Sequence, residues 1–231
     1  NYSSLAAWRS ASGFDPHSVA VNPVFASSID LHSNSSFLNN AGTPLGSVLD
    51  DIDGEVRSLT PPDIGADEFN STLTPMAGIF VIGSGGDYAT MSAATADLIV
   101  RGVSGPASFL INTGTYNEVT ALTPVAGANP VNRVRFVSQT GNAADVVLSF
   151  TAAATTGADA PILLSGARYV DFDSLTISAT GAGSAGALVW ISGDVKNARF
   201  QNCVLNTAGI AASSRSALKC NSALFDSLVV S

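Results

Sequence analysis

From residue 105 onward the chain alternates short apolar runs with turns rich in Gly, Asn, Ser and Thr. The runs are too short for helices and carry β-branched and aromatic residues, so they read as strands. The pattern predicts strands over 108–112, 133–138, 146–150, 162–165, 169–178, 187–192, 198–206 and 223–230. Alternation is clear in Val134-Arg135-Phe136 and Val170-Asp171-Phe172. One stretch has helical spacing instead. Thr90 is placed to cap a helix, Met91, Ala94, Leu98 and Ile99 fall on one face, and Gly102 supplies the stop. Before it, 78–83 reads as a strand closed by the turn Ser84-Gly85-Gly86-Asp87. That turn lacks the following Lys of a phosphate-binding loop.

Three stretches repeat: 169–177, 197–205 and 222–230. After its first residue each reads small or apolar, any, Phe, polar, Ser or Asn, apolar, any, apolar. Phe172, Phe200 and Phe225 are spaced by 28 and 25 residues, and Phe136 precedes Phe172 by 36. A period in the twenties with several short strands per turn predicts a solenoid whose coils stack Phe on Phe. The polar pair inside each repeat turns the chain from one face to the next. In this register Cys203 takes the inward slot of Leu175 and Leu228, and Cys220 lies elsewhere around the coil. A disulfide needs Cα atoms within about 7 Å, so the expectation is two free, largely buried thiols.

Residues 1–69 look different. Prolines at 16, 23, 44, 61 and 62 interrupt short apolar runs, and the segment reads as loop without an independent core. Residues 70–76 read as a linker, and 77–231 as the solenoid segment.

Composition narrows the class. Charged residues make up 12%, about half the usual ~25%. Mean hydropathy is +0.31, and Lys occurs only at Lys196 and Lys219. A net charge of -8 with pI about 4.4 disfavours a phosphate-neutralising surface, so no nucleic-acid partner is expected. No window reaches the ~18 uncharged apolar residues of a membrane helix. Few charges and many small polar residues lean towards an extracellular β-rich protein.

The second part resembles the right-handed parallel β-helix proteins of the pectate-lyase type. The residues that carry the resemblance are Asp87-Tyr88-Ala89-Thr90 and the helix after it, the 105–111 and 114–119 stretches, and the Phe-centred coils. The resemblance implies an N-terminal helix that plugs the open end of the solenoid. The first part resembles the C-terminal end of such a β-helix, through Gly13-Phe14-Asp15-Pro16, Asn22-Pro23-Val24-Phe25, Asp51-Ile52-Asp53-Gly54-Glu55 and the closing Asp63-Ile64-Gly65-Ala66-Asp67-Glu68-Phe69. Together these imply an all-β junction: the end of one right-handed parallel β-helix, then the cap and first coils of another. Such arrays resemble large surface proteins exported by the bacterial type IX secretion system, which implies a secreted, cell-surface location.

Candidate chemistry is sparse. Asp171, Asp173, Arg199 and Asp226 alternate outward, with Arg135 and Arg168 nearby, and Asp171 with Arg199 is expected to be an exposed pair worth ~0.2–1 kcal/mol. His17 is expected to bond within its turn, and His32 also lies in the first part. Asp51-x-Asp53-Gly54-Glu55 resembles the start of a calcium loop, but the closing Glu position is Pro62. Local turn bonds and a pair between Arg57 and an Asp of this stretch are expected there instead. Asn1, Asn34 and Asn70 match the N-glycosylation sequon, as chance predicts in a Ser-rich chain, and Asp173-Ser174 and Asp226-Ser227 match a bacterial O-glycosylation pattern. Tyr116 and Trp190 are candidate glycan-stacking aromatics, Trp190 equally a core residue. No residue set is assigned as catalytic, cofactor-binding or metal-ligating, and no cofactor is expected. The leading expectation is a non-catalytic structural or adhesive segment of a surface β-helix, with polysaccharide or neighbouring surface proteins as partners. Alternatives are a polysaccharide lyase or glycoside hydrolase with its groove on further coils, and a glycan-binding module.

Overall fold

The computed structural model describes residues 2, 5–152, 160–181, 187–207, 216–225 and 228–230; of residues 6, 152, 181, 221–225 and 228–230 it describes the backbone alone. The chain divides into two compact units, Asn1–Pro75 and Met76–Ser231.

The second unit is a parallel β-solenoid of about four turns. Its strands are β1 (Met76–Ile82), β2 (Val103–Ile111), β3 (Gly114–Asn117), β4 (Thr120–Leu122), β5 (Val134–Ser138), β6 (Val146–Ala152), β7 (Ile162–Ser165), β8 (Val170–Asp173), β9 (Thr176–Gly181), β10 (Ala187–Val195), β11 (Ala198–Gln201), β12 (Val204–Asn206), β13 (Ser216–Phe225) and β14 (Leu228–Val230). They form three parallel sheets, in the orders β1-β2-β5-β8-β11-β14, β13-β10-β7-β4 and β12-β9-β6-β3. Each coil therefore gives one strand to each face. The expected strand over 169–178 is two strands, because Ser174 turns the chain at φ 53°. Asn202 makes the same turn one coil on, at φ 53°. Asn tolerates this left-handed conformation better than most residues, and Ser less well.

The core is a set of columns. Phe80, Phe109, Phe136, Phe172 and Phe200 stack with ring centroids 4.9–5.4 Å apart. The upper four are fully buried. Offset aromatic pairs at this spacing add to the area they bury. Beside this column, Leu122, Ile162, Leu164, Val189 and Ile191 fill the core from the second sheet, and Leu148 and Ile177 from the third. One register differs from expectation. Val230, not Phe225, pairs with Phe200, and Phe225 pairs with Val195 in the neighbouring sheet. Leu228 accordingly pairs with Ala198 and does not share the slot of Cys203. A spacing rule taken from one residue type misplaced a coil because corner lengths vary.

The open start of the stack is closed by α2 (Met91–Arg101), named after the earlier α1 (Leu5–Ser12). The Thr90 side chain caps it by accepting from the Ala93 amide, and Gly102 ends it at φ 63°. Met91, Ala94, Thr95 and Leu98 are buried, whereas Ile99 is only half-buried. The free side of β1 is also occupied. Val81 N–H donates to the Asp87 carboxylate (2.7 Å), and Tyr88 N–H donates to Val81 C=O (3.1 Å). Gly86 must be Gly, since a Cβ there would lie 2.5 Å from Val81 O.

The first unit does contain a helix, α1, where loop was expected; its last turn is closed by the bond from Gly13 N–H to Arg9 C=O (2.9 Å). The rest is loop with two antiparallel bridges, Phe25↔Ser33 and Asp50↔Val56. Leu38 and Pro62 are its only buried apolar side chains among the described residues. Polar bonds hold the unit in place of a core. Asp63 accepts from the amides of Asn40 and Phe69 (both 2.5 Å), and Arg57 donates to the carbonyls of Asp63 (2.6 Å) and Gly65 (3.0 Å). Ser71 and Thr72 are tied to Asn39 and Asn34.

Candidate functional site

Two clusters of charged groups stand out, one on the solenoid and one in the first unit. On the solenoid, parallel pairing puts Ile79, Ser108, Arg135, Asp171 and Arg199 in one outward row of the first sheet. Asp171 was expected to be exposed and paired with Arg199. It is 7% exposed, and Arg199 reaches it only at 4.0 Å. Its main partner is Arg133, which binds both carboxylate oxygens, with Nε–Oδ2 at 2.8 Å, and also donates to Asn197 C=O (2.8 Å). Arg133, expected as the first residue of the strand 133–138, lies directly before β5 and was not singled out as a partner of Asp171.

Asp173 accepts from Arg135 (2.6 Å), Asn202 (3.0 Å) and the Ser174 hydroxyl (3.0 Å). Burial pushes its carboxyl up, and these bonds more than offset that, holding it below the ordinary range. Ser174 is itself buried. Arg168 does not join this group. It pairs with Asp194, which Lys196 also approaches at 3.6 Å, and its Nε is buried without a partner among the described residues. Asp226 lies outside the described residues.

These groups are spent on one another across coils. Nothing among them pairs a free acid with a free base around an open space, which acid–base catalysis requires. Tyr116 is also committed: its hydroxyl donates to Asn112 C=O (3.0 Å) and its ring packs on the core. Trp190 is different. It alternates with the fully buried Val189 and Ile191, so it faces outward, with the Lys219 ammonium 4.6 Å from its ring centroid. Both cysteines are free. Cys203 is half-buried, and burial raises its thiol pKa. Cys220 is exposed where burial was expected. It pairs with the buried Ile191 but lies on the last coil described, with no strand stacked over it.

In the first unit, His32 lies between carboxylates. Its Nδ1 is 2.5 Å from Asp30 Oδ1 and its Nε2 is 2.6 Å from Asp53 Oδ2. Those two bonds, Asp30 first, raise the imidazole pKa to about 9. His32, Asp53 and Asp67 bring their ligating atoms within 4.8 Å of one another. Asp51, the expected first ligand of a calcium loop, is used otherwise. It accepts from the amides of Asp53 (2.9 Å), Glu55 (2.9 Å) and Glu68 (3.1 Å), the last of which is the chief cause of its lowered pKa. The local turn bonds are present, but among the described residues Arg57 pairs with Glu68 at 3.5 Å and not with an Asp of the loop. His17 is exposed, and its ring makes no hydrogen bond among the described residues. The amide of Asn34 is bonded to Thr72. The His32 cluster was not read from the sequence, because positions 30, 32, 53 and 67 share no period and meet only through loops.

Among the described residues no helix is long and apolar enough to cross a membrane. Comparisons with protein-family models, characterised proteins and solved structures gave no match for this chain.

Proposed function

We propose that the chain is a non-catalytic structural or adhesive segment of a secreted, cell-surface β-solenoid protein, at a junction between two β-helices. The observation that supports this most directly is the mutual pairing of the outward charges. Arg133 with Asp171 and Arg135 with Asp173 bridge successive coils, so the groups an enzyme of this architecture would turn on a substrate here tie coil to coil. Neighbouring surface proteins or polysaccharide would be its partners. The test is incubation of the 231-residue chain with a panel of neutral and acidic polysaccharides. The reading expects no bond cleavage, and any turnover defeats it.

Trp190 favours one second reading, a glycan-binding module. An outward indole with a cation over one face is the kind of platform a sugar ring stacks on. Retention on an immobilised polysaccharide, without turnover and lost in Trp190→Ala, would favour it over the purely structural role.

A further inference from the structure

The structure assigns a metal site to the first unit: we propose that His32 Nε2, Asp53 and Asp67 bind one divalent ion of the zinc class, with Asp30 orienting the imidazole. The inference stands apart from the proposed function and uses none of its observations.

Four observations carry it. First, the three residues come from separate segments, the bridge at Phe25↔Ser33, the bridge at Asp50↔Val56 and the closing 63–69 stretch, yet their ligating atoms lie within 4.8 Å of one another. A tetrahedral ion with bonds of about 2.0–2.2 Å spaces its ligands about 3.4 Å apart, a small contraction for side chains on loops. Second, one imidazole nitrogen with carboxylate oxygens suits zinc and its neighbours. Calcium prefers six to eight oxygens. Third, a ligating His generally gives its other ring N–H to a carboxylate, and Asp30 already holds Nδ1 at 2.5 Å.

The fourth observation is independent of the cluster's own bonds. Asp67 is only 5% exposed, yet its sole hydrogen bond among the described residues is from Ser33 N–H to Oδ2 (3.0 Å). Among the described residues no Lys or Arg forms an ion pair with it. A buried carboxylate is costly without a cation beside it, and the ligating atoms of His32 and Asp53 lie within 4.8 Å of its own. The unit also needs a staple. Among its described residues the buried apolar side chains are Leu38 and Pro62 alone, and both cysteines of the chain lie beyond residue 200. Small folds without a core use disulfides or metals.

Without the ion, Nε2 carries a proton shared with Asp53 (2.6 Å). On binding, that proton leaves to water and the nitrogen lone pair passes to the metal. Asp53 and Asp67 supply the second and third ligands, and water supplies the fourth.

The test is calorimetric titration of the full 231-residue chain, stripped with chelator, with zinc chloride, alongside thermal melts. The expected result is one zinc per chain and a raised melting temperature reversed by EDTA, with no effect of calcium or magnesium. Asp67→Asn and His32→Ala abolish binding, and Asp30→Asn weakens it about 10–100-fold, as loss of an orienting carboxylate does. If Asp67→Asn fails to fold, Asp53→Asn, half-exposed at a hairpin tip, must abolish binding in a folded chain. The double variant Cys203→Ser/Cys220→Ser keeps its zinc. No binding by the unaltered chain overturns the assignment, as does zinc that survives in His32→Ala or disappears with the cysteines.

Discussion

The Glu118 carboxylate receives the backbone N–H of Met91, the first residue of α2, at 2.8 Å. It also receives the Ser92 amide at 2.9 Å and the Ser92 hydroxyl. Glu118 follows β3 in the first coil, so a side chain of the stack grips the positive end of the helix that closes it. Replacing it by Ala is expected to cost about 1–2 kcal/mol, and by Gln about 0.5 kcal/mol, since Gln keeps an acceptor but loses the charge. The chain has two tryptophans, Trp8 and Trp190. In a Trp8→Phe background, urea unfolding followed by Trp190 fluorescence reports the solenoid alone. An Ala variant as stable as its parent would remove Glu118 from the cap.

The Phe column makes a second prediction. Phe136→Ala empties a fully buried position between two stacked rings, and the cost is about 3–5 kcal/mol. Ile79→Ala, at a position 68% exposed on the outer row, should change stability by less than about 0.5 kcal/mol. The same fluorescence-detected unfolding compares them. Equal effects would contradict the inside–outside alternation.

Acid sensitivity follows from Asp173. Its folded pKa is depressed, so the unfolded chain takes up the proton first as pH falls. Its contribution is full above the ordinary value of 3.8 and disappears as pH drops through the lower folded value. Asp173→Asn should therefore be the less stable protein near neutral pH and lose less on acidification to about pH 3. Parallel acid limbs in the two melting-temperature profiles would rule out this role.

The corner at Asn202 tests backbone conformation. With φ at 53° and an exposed side chain, Asn202 lies in the left-handed region. Asn202→Ala should cost about 1–2 kcal/mol, and Asn202→Gly should recover about 1 kcal/mol of it, because Gly has no Cβ to clash. A Gly variant no better than the Ala variant would assign the whole effect to the lost bond with Asp173, measured by the same urea titration.

The repeat was legible because stacking forces like residues onto like. Phe136, Phe172 and Phe200 announced the column, and Thr90 and Gly102 announced both ends of α2. The short strands β3 and β4 escaped because three or four residues carry too little alternation to register. Phe225 misled because the spacing between paired positions varies, and Phe109 and Phe80 were missed beneath the column for the same reason. Of the charged groups, Asp171, Asp173, Arg135 and Arg199 were seen as neighbours. The burial of Asp171 was not, because it depends on Arg133, which the strand pattern alone did not single out as its partner.

The engagement of Val81 by Asp87 and Tyr88 guards part of one side of the stack. A row of parallel strands has two sides, and either would accept a foreign strand if its amides and carbonyls were vacant. At Val81 those groups are answered from within the chain, by a loop that only Gly86 allows to lie so close. A foreign strand that pairs with β1 at Val81 must therefore first displace the Asp87 carboxylate and the Tyr88 amide from their own fold.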